Sequence, residues 1–103
     1  MAKYQLVLQF EAKSLNDYDR LVGFETHLSD QLGKLAEVDG HDFGSEDFNI
    51  FVLTDEPHGT FERAHRLLKA LAVPNRMRAA YRELDGEHYV VLWPPGLTEF
   101  SRS

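Results

Sequence analysis

The sequence predicts a single α+β domain, an antiparallel sheet with two helices on one face, in the order β-α-β-β-α-β-β. Three observations carry this expectation: segments of two-residue alternation frame two segments of helical spacing, glycine-bearing turns join strands into adjacent pairs, and one strand is apolar on both faces and so reads as central. The chain has 103 residues, of which 43% are hydrophobic and 12% aromatic, enough to fill one core.

Residues 3–10 alternate, with Tyr4, Leu6, Leu8 and Phe10 on one face and Gln5, Val7 and Gln9 on the other, and form the first strand. Ser14, Asn16 and Asp17 then offer helix N-caps. Leu21, Leu28 and Leu32, with Tyr18 and Phe24 near them, recur at helical spacing up to Gly33, which predicts a helix over 17–32. Asp17 and Asp19 in its first turn complement the helix dipole.

Residues 36–54, AEVDGHDFGSEDFNIFVLT, read as a hairpin turning at Gly44. In its second strand Phe48, Ile50 and Val52 alternate with Asn49, Phe51 and Leu53, so both faces are apolar and the strand is central. The first strand, where Ala36 and Val38 alternate with Glu37, Asp39 and His41, suits a sheet edge. Gly40 is alternatively a bulge, which shifts by one residue which of these side chains share a face.

Asp55 is the expected cap of a second helix whose first turn tolerates Pro57, with Phe61, Ala64, Leu68 and Leu71 as its apolar stripe. Val73, Pro74 and Asn75 end it. A last hairpin follows over 77–84 and 87–93, with Asp85 and Gly86 in a type I′ turn. Pro94 and Pro95 stop the final strand, giving a domain over 1–95 and a flexible tail over 96–103. The whole is the split βαβ arrangement of ferredoxin-like folds, with strand order 5-4-1-3-2.

Right-handed crossovers put both helices on one face. Val7, Phe51, Leu53, Tyr89, Val91 and Trp93 are then expected together on the bare face, a patch large enough to need cover. A second copy stacked sheet on sheet is the economical cover, so a homodimer is expected. The polar groups expected among these apolar side chains are Gln9, Asp39, His41, Asn49 and Arg82, and with Phe51 they are the candidate ligand-binding residues.

Charge and composition exclude several classes. A formal charge of −6 repels phosphate backbones and argues against nucleic acid. Phe51 and Tyr89 could mimic the stacking platform of an RNA-recognition module, but FNIFVLT lacks the basic and glycine elements of that motif. With no cysteine there is no disulfide framework or thiolate metal site, and no histidine pair has metal-ligand spacing, so no metal or cofactor is expected. No stretch reaches the roughly 20 apolar residues of a membrane span, nor does the start read as a signal peptide, and the expected location is the cytoplasm.

The tract DGHDFGSEDFNIF resembles a group of small uncharacterised bacterial proteins that share DGHDxG followed by NIF, a similarity continuing into AAYREL and YVVLWP. The resemblance implies a ferredoxin-like fold and a bacterial origin, and it marks Asp39, Gly40, His41, Asp42, Gly44, Asn49 and Phe51 without giving them roles.

Three functions remain open from the residues. The leading expectation is a noncatalytic small-ligand-binding or regulatory module acting as a homodimer. The second is an acidic interaction or immunity-type protein that meets a basic partner through Asp17, Asp19, Glu37, Asp39, Asp42, Glu46 and Asp47. The third is a small dimeric enzyme with His41 as base and Asp39 as its orienter.

Overall fold

The computed structural model describes residues 2–100, and in it seven elements follow the expected order: β1 (Tyr4–Glu11), α1 (Leu15–Leu32), β2 (Ala36–Phe43), β3 (Asp47–Thr54), α2 (Pro57–Ala70), β4 (Met77–Glu83) and β5 (Val90–Trp93). The sheet order is β2-β3-β1-β4-β5, every neighbouring pair antiparallel. The fold is a ferredoxin-like α+β sandwich. Leu6, Leu8 and Phe10 of β1 and Phe48, Ile50 and Val52 of β3 are buried against Leu21, Phe24, Leu28 and Leu32 of α1 and Phe61, Ala64 and Leu68 of α2.

α1 starts two residues before the expected point because the Ser14 hydroxyl accepts from the Asp17 amide at 3.1 Å while the Asp17 carboxylate accepts from the Lys13 amide at 2.9 Å. That amide, opposed by partial desolvation, holds the Asp17 carboxyl below its ordinary range. Gly33, at φ 54°, ends the helix. α2 differs from expectation: its cap is Glu56, with no side-chain bond, and Asp55 instead accepts from the Lys3 amide at 3.0 Å. Thr54 does the local work, its hydroxyl accepting from the Glu56 amide at 2.9 Å and meeting the Thr60 hydroxyl at 2.8 Å.

Two one-residue irregularities change which side chains share a face. In β2 the register shifts between Val38 and Gly40, so that Val38 pairs with Val52 but Gly40 pairs with Phe51. Gly40 sits at φ 139°, in the region that favours glycine, and Asp39 is the extra residue. From here on the strand's faces are exchanged. In the last pair Tyr81 faces Val90 and Ala80 faces Val91 as expected, but a second shift sets Ala79 opposite Trp93. Trp93 therefore lies on the helix side, 4.6 Å from the His65 ring and 6.2 Å from the Phe61 ring.

The expected Asp85–Gly86 turn does not form as type I′, because Gly86 is not among the positive-φ residues that such a turn requires. β5 is shortened to four residues and the connection before it lengthens. After β5 the Leu97 amide donates to the Pro94 carbonyl at 3.2 Å, reversing the chain, and Phe100 meets Tyr89 at 5.1 Å. Within the expected tail Leu97 and Phe100 are half-buried, and residues 101–103 lie outside the described residues.

The helix-free face consequently differs from the bare apolar surface that regular strands imply. Trp93 has left it, Val7 and Ala80 are fully buried on it, and Phe51, Leu53, Tyr89 and Val91 are half-buried.

Candidate functional site

On the helix-free face three neighbouring strands bring an amide chain together. Gln9 of β1 pairs with Asn49 of β3, and Asn49 with Asp42 of β2. The Gln9 Nε2 donates to Asn49 Oδ1 at 3.1 Å, and Asn49 Nδ2 donates to Asp42 Oδ1 at 2.9 Å. Asn49 is fully buried and Gln9 is 6% exposed. A buried amide is tolerated only when its donors and acceptors are met, and this chain meets them.

Of the residues expected at a site, the structure places Gln9, Asn49 and Phe51 on this face. Asp39 stands exposed at the bulge. Asp42 takes its place beside Asn49. Arg82 is turned aside, its guanidinium donating to the carbonyls of Glu83, Leu84 and Gly86 at 3.1, 2.9 and 3.2 Å and fastening the β4–β5 connection.

His41 is corrected most. The bulge carries it to the helix side, where its ring stacks on Phe48 at 4.7 Å. Nδ1 lies 2.7 Å from Glu25 Oε1 of α1, and Nε2 lies 3.4 Å from the Tyr18 hydroxyl. Nδ1 donates to the Glu25 carboxylate, and the partner of Nε2 is the Tyr18 hydroxyl, which can either donate or accept. Glu25, not Asp39, is the orienting carboxylate. Glu25 and Tyr18 escape a sequence reading confined to the DGHD tract, yet their seven-residue separation on α1 sets them on one helix face. The cluster joins β2 to α1, and Tyr18 also packs against Phe43 at 5.0 Å and Phe48 at 5.5 Å.

A cleft of about 610 Å³ opens at the end of the sheet where β1 finishes and β3 and β4 begin. Gln9 lines it, placing the amide chain at its edge. Glu11 of β1, Glu46 of the β2–β3 turn and Asp47 at the start of β3 border it, as do Arg76 just before β4 and Arg78 within it. Trp93, Pro94 and Leu97 border it on the β5 side. The ion pairs among the described residues are Arg20–Asp17 and Glu25–His41, so neither arginine is bridged to Glu11 or Glu46.

Elsewhere, burial beneath Trp93, with Lys69 nearby, holds the His65 imidazole below its ordinary value of 6.5. No three histidine, aspartate or glutamate side chains gather at metal-binding distance among the described residues. No described helix is long and apolar enough to cross a membrane. No family model, no curated protein and no solved structure matches the chain.

Proposed function

We propose that the protein is a noncatalytic small-ligand-binding module whose site is the cleft at the end of β1, β3 and β4. The observation that carries this is the joining of a cleft of about 610 Å³ to a nearly buried amide, Gln9, whose orientation Asn49 fixes. Pockets recognise ligands through a few convergent polar groups held in place by the fold, and Gln9 with Arg78 opposite it in the β1–β4 ladder meets that description. Trp93, the chain's single tryptophan, borders the cleft and reports on it.

Titration of amino acids, peptides, carboxylates, nucleotides and sugars, read by Trp93 emission and thermal shift, tests the proposal. One class should raise Tm with saturable dose dependence, and Arg78→Ala should remove the effect. A library that moves neither signal overturns it. Pairing into a homodimer now rests on the half-exposed Phe51, Leu53, Tyr89 and Val91 alone, and a sedimenting monomer at micromolar concentration removes it.

A second reading, the acidic interaction protein, is favoured by one separate observation. Leu15 and Phe43, 75% and 63% exposed, flank a pocket of about 370 Å³ beside Tyr18, with Asp47 at its edge. A basic partner with an apolar anchor fits such a surface. Complex formation that is insensitive to both salt and Phe43→Ser excludes it.

A further inference from the structure

We propose that the ligand of the cleft is a short zwitterionic peptide, of dipeptide length, with an apolar C-terminal side chain; this rests on the ligand-binding function proposed above. The lining is ordered across the sheet. Glu46 stands at the β3 end, Glu11 and Gln9 on β1, Arg76 and Arg78 at the start of β4, and Trp93, Pro94 and Leu97 on the β5 side. Crossing it, a ligand meets carboxylates, then an amide, then guanidinium groups, then an apolar wall.

Opposite charges that line one cleft without bridging each other are available to a ligand that carries both. Arg76 and Arg78 are exposed, as are Glu11 and Glu46, and none of the four belongs to an ion pair among the described residues. An ammonium is met by carboxylates and a carboxylate by guanidinium groups, each through charge-assisted hydrogen bonds. A purely anionic ligand would face Glu11 and Glu46, and a purely cationic one would face Arg76 and Arg78. Among charged ligands the zwitterion meets neither repulsion, and unlike a neutral ligand it pairs with both sets of charges.

Length follows from strand spacing. β3 and β4 flank β1, and neighbouring strands lie about 4.8 Å apart, so Glu46 at the β3 end and Arg78 on β4 are about 10 Å apart at the backbone, with Glu11 on β1 between them. An extended dipeptide spans about 7 Å, and hydrogen bonds from Glu46 and Arg78 close the remainder, whereas a single α-amino acid is too short to reach both. Its peptide group would then lie at the level of Gln9. Because the apolar wall adjoins the arginines, the apolar side chain belongs to the residue that carries the carboxylate.

The test uses the full chain and glycyl-leucine, titrated by calorimetry and by Trp93 emission. Glycyl-leucine should bind saturably, and N-acetyl-glycyl-leucine, glycyl-leucine amide, leucyl-glycine and leucine should each bind at least tenfold more weakly. Glu46→Gln should weaken glycyl-leucine while sparing the N-acetyl form, and Arg78→Ala should do the same for the amide form. These side chains are exposed, so the variants should keep the parent Tm. If the blocked peptides bind as tightly as the free one, or if another ligand class binds the cleft while glycyl-leucine does not, the peptide assignment fails and the ligand-binding function stands. If no ligand of any class binds, both fail.

Discussion

Replacing Asn49 by aspartate exchanges one NH₂ group for an oxygen and leaves the shape unchanged. The Nδ2 that now donates to Asp42 Oδ1 at 2.9 Å becomes a carboxylate oxygen facing another carboxylate, at a fully buried position. Burial and the like charge both raise the new carboxyl's pKa; a shift of about 3 units is reasonable for such a site. At 1.36 kcal/mol per unit this is about 4 kcal/mol, a large share of the roughly 5–15 kcal/mol that holds a domain folded. A folded pKa raised above the unfolded value of about 3.9 gives a definite sign. Below about pH 4 both states are protonated and the penalty is absent; it grows as pH rises and is complete above the folded pKa, near 7. Urea denaturation followed by Trp93 emission from pH 4 to 8 should show N49D falling away from the parent with rising pH. Adding Asp42→Asn, which restores a donor, should recover most of the loss. A gap between N49D and parent that stays constant with pH would refute the buried Gln9–Asn49–Asp42 chain.

Three other perturbations test separate parts of the structure. Gly40→Ala places a Cβ at φ 139° and should cost about 1–3 kcal/mol, with the His41 ring resonances displaced as the stack on Phe48 is disturbed; parent stability would show that no bulge exists there. His65 has a folded pKa below 6.5, so its neutral form supports the fold above that pH and this support is lost as pH falls from 6.5 through the folded pKa. His65→Gln should flatten that part of the stability profile, and an unchanged slope would contradict its burial under Trp93. Ending the chain after Pro95 removes Leu97 and Phe100, and loss of their half-buried surface should lower stability by about 1–3 kcal/mol, read by urea denaturation; an unchanged midpoint would mean that the returning segment does not rest on the sheet.

The order of elements was legible because β1, β3 and both helices carry unbroken periodicity. Leu6, Leu8 and Phe10 lie on one face of β1 as alternation requires, and Leu21, Phe24, Leu28 and Leu32 are the buried stripe of α1. What sequence could not decide was local. A bulge adds one residue, and in DGHD the glycine signals it without saying which neighbour is extra. Asp85 and Gly86 have the composition of a tight turn, yet the Arg82 guanidinium, bound to three carbonyls around them, favours a wider connection. Glu25 was hidden because an acidic residue within a helix ordinarily faces water. The cleft was illegible for another reason: it joins three strand ends to a returning segment, and no local pattern encodes such an assembly.

The two bulges together decide what kind of surface the helix-free side becomes. With regular ladders His41 and Trp93 would stand there beside Phe51 and Leu53, and a second sheet would be a natural cover. Each irregularity instead moves one ring across the sheet, His41 to stack on Phe48 under Tyr18 and Trp93 to lie against His65. The helix side gains two rings, while the other side keeps the amide chain and the charged end of the sheet. An apolar partner laid over Glu11, Glu46, Arg76 and Arg78 would have to desolvate charges that it cannot pair, a cost that opposes burial of that end of the sheet. A small polar ligand meets those groups without displacing the Gln9–Asn49 bond. The positions of Gly40 and Trp93 in their ladders therefore remove two rings from the surface that a second sheet would cover, and this supports the proposed recognition of a polar molecule.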